Sequence, residues 1–177
     1  MPAIFADFDL DHFWEDSASA RRDYQANPPS AEQVAAVERE LGYKLPDAYV
    51  ELMQHQNGGM PLRCNHRAAA NSWADDRITI TGIFSIGAAK DYSLCGEMGS
   101  RFWVDEWGYP PIGVYFADCP TAGHHMVCLD YRECGPQGEP RVVHVDQRRD
   151  YKVLEIAPDF ESFIRGLEGD EAFTDEG

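Results

Sequence analysis

Residues 30–59 read SAEQVAAVERELGYKLPDAYVELMQHQNGG, and two helices with defined ends can be drawn on them. Ser30 with Gln33 three residues later makes a capping box, in which each side chain answers an amide left open at a helix start. Val34, Val37 and Leu41 follow at helical spacing, and Gly42 offers the left-handed residue that stops a helix. A second helix is predicted to start around Pro46, which has no amide to lose in a first turn. Tyr49, Leu52 and Met53 give it one apolar face, and Gly58-Gly59 ends it. This stretch is therefore a helical hairpin.

Downstream the pattern changes to the two-residue period of strands. Ile78 and Ile80 alternate with threonines, with Gly82 as a bulge or bend. Ile112–Phe116 and His125–Tyr131 read as strands joined by Asp118-Cys119-Pro120-Thr121-Ala122-Gly123. The turn Gly135-Pro136-Gln137-Gly138 leads into Arg141–Asp146, where Val143 and Val145 face one way and Val142, His144 and Asp146 the other. Short turns between consecutive strands imply an antiparallel meander. After Tyr151–Ile156, Pro158 is expected to open a last helix bearing Phe160, Phe163, Ile164 and Leu167 on one face. Residues 91–110 show no clear period, with Trp103 and Trp107 as expected packing anchors.

Upstream, Phe5, Phe8, Phe13 and Trp14 should pin residues 1–27 to the body, with a helical piece near Asp11–Tyr24, before Asn27-Pro28-Pro29 breaks the chain. The expectation is an α+β fold: N-terminal helices, a central mainly antiparallel sheet and a C-terminal helix. One domain would cover residues 1–168, with 1–27 an extension packed on it and 169–177 an acidic flexible tail.

At 177 residues the chain suits a single core. Its 31 acidic against 15 basic residues give a net charge of −16. Setting aside Glu168, Asp170, Glu171, Asp175 and Glu176 near the end still leaves −11. Such a surface repels nucleic-acid phosphates and anionic lipid and draws in basic proteins. The first residues lack the basic and apolar regions of a secretory signal. No run approaches the ~20 apolar residues that span a bilayer. The five cysteines (Cys64, Cys95, Cys119, Cys128, Cys134) contain no C-x-x-C pair, which predicts free thiols and a cytoplasmic location.

Val37-Glu38-x-x-Leu41-Gly42-x-x-Leu45-Pro46-x-x-Tyr49-x-x-Leu52 followed by Asn57-Gly58-Gly59 resembles the signature of the SUKH superfamily, which includes Smi/Knr-type regulators of cell-wall synthesis and bacterial immunity proteins. Trp107-Gly108-Tyr109-Pro110, Gly123-His124, Leu129-Asp130-Tyr131, Gly138-Glu139-Pro140-x-Val142-Val143-His144-Val145-Asp146 and Ala157-x-x-Phe160-x-x-Phe163 continue the match in order across residues 30–167. The resemblance implies an α+β binding domain without shared catalytic residues or cofactor. It further implies an immunity protein that occludes the active site of a cognate toxin, or alternatively a regulatory scaffold with no toxin partner.

Much of that pattern is also explained by structure alone, since Leu-Gly, Asn-Gly-Gly and Leu-Pro punctuate helices. A thiol enzyme could be built from Cys119, His124, His125, Cys128 and His144, yet nothing in the sequence lowers a cysteine pKa. Zinc could use Cys119, His124, His125, Cys128 and Cys134, but they lack the tight paired spacing of structural zinc sites. Asp7-Phe8-Asp9-Leu10-Asp11 fails as a calcium loop, with His12 in place of the glycine and Ala18 in place of the final glutamate. The Asp75-Asp76 pair reads as a solvated face. The surface expected to meet a basic partner is the set Asp118, His124, His125, Glu133, His144 and Asp146, with Trp73 as a further anchor and no metal or catalytic residue.

Overall fold

The computed structural model describes residues 3–173. Three of its helices precede the sheet: α1 (Ala18–Asp23), α2 (Ala31–Leu41) and α3 (Asp47–His55). The capping box forms as its sequence predicts. Ser30 Oγ accepts from the Gln33 amide at 3.1 Å, and Gln33 Oε1 accepts from the Ser30 amide at 2.9 Å. Gly42 ends α2 at φ +84°, donating its amide to the Glu38 carbonyl. Pro46 takes the N-cap of α3 rather than its first turn.

The main sheet has five antiparallel strands in the order β3 (Gly82–Ile83), β4 (Gly113–Asp118), β5 (His125–Asp130), β6 (Arg141–Asp146) and β7 (Lys152–Ala157). This is the predicted meander: β4 to β7 are joined in sequence by turns too short to cross over, whereas β3 reaches its antiparallel place beside β4 through the long segment 84–112. The last helix, α5 (Phe160–Arg165), starts two residues after Pro158, since the Asp159 carboxylate accepts from the Ser162 amide at 2.7 Å and so fixes the cap. A register shift between Tyr115 and Ala117 in β4 leaves Phe116 among the helices. There it meets Tyr49 of α3 at 5.9 Å and Phe160 and Phe163 of α5 at 5.5 and 5.6 Å, in edge-on pairs. Such contacts each add ~0.5–1.5 kcal/mol beyond area burial.

Three local readings needed the structure. Residues 91–110 contain α4 (Ser100–Asp105), whose cap carries no side-chain hydrogen bond. It is held instead by the buried Trp103, which donates to the Met98 carbonyl at 3.0 Å, while Trp107 is only half-buried. The helical piece expected from Asp11 is confined to α1, because residues upstream are committed to a bridge between Trp14 and Pro61, with the Glu15 amide on the Met60 carbonyl at 2.7 Å. Ile78 belongs to a separate two-stranded sheet of β1 (Asn65–Arg67) and β2 (Arg77–Thr79).

The extension packs on the body. Phe5 and Phe13 are buried, and the Glu51 carboxylate receives the amides of Ile4 and Phe5 at 2.9 and 2.7 Å. Of the tail expected from residue 169, Asp170–Phe173 form a 3-10 turn, tied to β1 by a hydrogen bond from Asn65 Nδ2 to Asp170 at 2.8 Å. Residues 174–177, including Asp175 and Glu176, lie outside the described residues.

Candidate functional site

The pairing of β5 with β6 sets His125 opposite Asp146 and Val127 opposite His144. Alternation therefore puts His125, His144 and Asp146 on one face. The two imidazoles stack at 5.2 Å and 21°. What covers them is the β1–β2 loop. Ser72 donates its amide to Asp146 Oδ2 at 2.9 Å and its hydroxyl to Oδ1 at 2.7 Å, and its Oγ lies 2.6 Å from His125 Nε2.

Proton counting fixes the arrangement. A serine hydroxyl has one hydrogen, so Oγ that donates to Asp146 accepts from His125 Nε2–H. His125 Nδ1 is then an acceptor, and it is buried without a hydrogen-bond partner, as is His144 Nδ1. Burial pulls the His125 pKa below the usual value, although Asp146 works against it. His144 is lowered to about 4 by burial and by His125. For Asp146, burial raises the pKa, but the two bonds from Ser72 and the neighbouring imidazoles leave it below the ordinary value. The cluster at neutral pH is one carboxylate with two uncharged imidazoles.

This geometry suits a latch better than a nucleophile. In a serine relay the acid holds the nitrogen remote from the serine. Here Asp146 sits 3.2 Å from Nε2, the nitrogen that meets Ser72. The Ser72 hydroxyl already donates to the carboxylate, not to an imidazole base. Cys119 and Cys128 are buried and their thiols pushed up by desolvation, opposite to an activated thiolate. Among the described residues no three His, Cys, Asp or Glu side chains converge as a metal-binding group.

The latch organises the loop that carries Trp73. Asn71 Oδ1 accepts from the amides of Trp73 and Ala74 at 2.9 and 3.2 Å, and Asn71 Nδ2 donates to the Arg77 and Ala69 carbonyls at 3.1 and 3.2 Å. The backbone under Trp73 is thus fixed on both sides while its indole is 44% exposed. Trp73 and Leu62 are the exposed large hydrophobic residues among those described.

The residues expected as a contact surface do not form one. Asp118, His125, His144 and Asp146 are buried, each for a physical reason: the loop covers the last three, and Asp118 accepts from Tyr24 Oη at 2.7 Å. His124 is half-buried with Nδ1 2.8 Å from Gln147 Oε1. Glu133 is exposed but lies beyond Asp130, at the other end of β5 from His125. Only Trp73, His124 and Glu133 of that set reach solvent. The exposed charges just after Asp146 are largely cationic, namely Arg148, Arg149 and Lys152 with Asp150 between them. Ser72 and Asn71 were not singled out from sequence. Their partners lie across the fold or depend on the turn itself, and a polar loop residue gives no sign of either.

A family model described as SMI1 / KNR4 family (SUKH-1) matches residues 28–166. The match spans α2 through α5 and leaves the N-terminal extension outside it. No curated protein matches the chain.

Proposed function

The chain belongs to the SMI1 / KNR4 family (SUKH-1), and from that premise we propose that it is a non-catalytic binding domain that neutralises a cognate toxin by covering its active site. Family membership supports the broader class of immunity and regulatory proteins. The observation that carries the finer reading is Trp73, an exposed aromatic on a loop whose backbone is held by Asn71 and by the buried Asp146. Rigid aromatic side chains supply contact area at small entropic cost and dominate interface energies.

The net charge of −16 gives this reading its partner chemistry. An acidic body speeds encounter with a basic protein such as a nuclease and discourages direct contact with nucleic acid. No helix among the described residues is long and apolar enough to cross a membrane, and the reading places the encounter in the cytoplasm. The latch serves it by keeping the loop in one conformation before binding, which removes an ordering cost.

The test is to read the neighbouring genes for a toxin-like domain and, where one is encoded, to titrate it calorimetrically in a form made inactive by mutation; the lack of such a neighbour removes the toxin reading. One-to-one binding that weakens with salt through a slower on-rate supports neutralisation. An absence of heat with that domain removes the toxin reading.

A further inference from the structure

The N-terminal extension builds a cleft of about 320 Å³ against the end of α3. Leu10 and Trp14 give it apolar walls, while Asp11, Glu15 and Asp16 stand around it. Arg21 also lines it, but its guanidinium is already paired with Asp16. The cleft therefore carries a net negative charge beside the Trp14 side chain.

Its walls are fixed. Trp14 is bridged to Pro61 through the backbone, and Phe13 meets its ring edge-on at 4.7 Å. Gly59 lies directly against it: a Cβ there would come within 2.9 Å of Trp14 Cε3, so the absence of a side chain sets the ring's position. Trp14 Nε1 is buried without a hydrogen-bond partner.

We infer that this cleft receives an arginine or lysine side chain from the basic protein partner. An apolar floor takes the aliphatic stem, the indole attracts the cationic head through its quadrupole, and the surrounding carboxylates complement its charge. Tryptophan is the strongest of the aromatic side chains in this role. The inference rests on the proposed basic partner for its biological source, but the cleft's chemistry is testable by itself. Residues 10–25 of the cleft's lining lie outside the segment that the family model matches, and His55 and Gln56 lie within it.

The experiment is an NMR titration of the full chain with an arginine-rich hexapeptide, following the Trp14 indole N–H, repeated on Asp11→Lys/Glu15→Lys and on Asp75→Lys/Asp76→Lys. All four positions are exposed, so the variants keep the core. Saturable movement of the Trp14 indole, with affinity at least tenfold weaker in the first variant and within twofold of the parent in the second, is the expected result. A still indole, or equal loss in both variants, overturns the cleft in favour of general acidity. The same proteins are then titrated with the inactivated neighbouring toxin domain. Toxin binding with a silent Trp14 removes the cleft and leaves the proposed function. Peptide binding in the cleft without toxin binding does the reverse.

Discussion

Ser72 meets Asp146 twice, through its amide at 2.9 Å and its hydroxyl at 2.7 Å, across 74 positions of chain. Two charge-assisted bonds from one residue to a buried carboxylate fix both the position and the direction of the backbone that enters Trp73.

Ser72→Ala should lose one of those bonds and the 2.6 Å contact with His125 Nε2, which leaves that nitrogen only Asp146 Oδ1 at 3.2 Å and the carboxylate one donor fewer. A buried polar group left unpaired costs ~1–3 kcal/mol. Urea unfolding should show a loss in that range, and amide exchange should rise at residues 71–74 more than in β5 and β6. Equal exchange in the loop of parent and variant would refute the latch.

Asp118 gives a pH dependence of defined sign. Burial raises its pKa from 3.8 to about 6 despite the Tyr24 hydrogen bond. A carboxyl with a raised folded pKa contributes stability below pH 3.8, and that contribution is lost as pH rises through about 6. Asp118→Asn keeps an acceptor for Tyr24 and removes the buried charge. It should therefore stabilise the protein above pH 6, by up to ~3 kcal/mol on the conversion of about 1.4 kcal/mol per pH unit. Thermal melts at pH 3.5, 5 and 8 should show no advantage for the variant at the lowest pH, part of it at pH 5 and all of it at pH 8.

His144 works in the other direction. Its folded pKa is lowered from 6.5 to about 4, so the neutral ring stabilises the fold above pH 6.5 and that contribution disappears as pH falls toward 4. His144→Leu should flatten the acid side of the stability profile between pH 6.5 and 4. Titration of the ring by NMR with a midpoint near 6.5 would contradict this account.

Gly82 shows how the sequence and the structure divide the explanation. As a glycine in a strand it signalled a bend or bulge; in the fold it lies under the Tyr24 ring, where a Cβ would fall 2.2 Å from Cε1. Gly82→Ala should displace Tyr24 and break its bond to Asp118, at a cost of ~1–3 kcal/mol or more for overpacking. A further rise of the Asp118 pKa in this variant, once the Tyr24 bond that lowers it is gone, would tie the two effects together.

The legible parts of the fold are those whose causes are local. Ser30, Gln33 and Gly42 act within a turn of their own positions, and the alternation in Arg141–Asp146 is a property of one strand. That is also why His125, His144 and Asp146 could be grouped from sequence. Their burial could not, because it depends on a loop some fifty residues or more away, brought over them by β1 and β2, strands of only three residues each. The helix α4 was hidden for a similar reason: its stability comes from Trp103 in the core and its start has no capping side chain. In the candidate site, sequence supplied Trp73 but not Ser72 or Asn71, the residues that hold it.

Trp73 separates binding from folding. Trp73 is 44% exposed, so Trp73→Ala should cost well under the ~3–5 kcal/mol of a fully buried aromatic. If it anchors the interface, the same change should cost ~2 kcal/mol or more of affinity for the inactivated toxin domain, about thirtyfold, with the loss mainly in the dissociation rate. Ser72→Ala makes the informative comparison. It leaves the indole intact but loosens its support, so it should weaken binding by a smaller factor and chiefly through the entropy of ordering the loop. Unchanged binding in Trp73→Ala would move the interface away from this loop, and unchanged binding in Ser72→Ala alone would leave the anchor but deny the latch a part in presenting it.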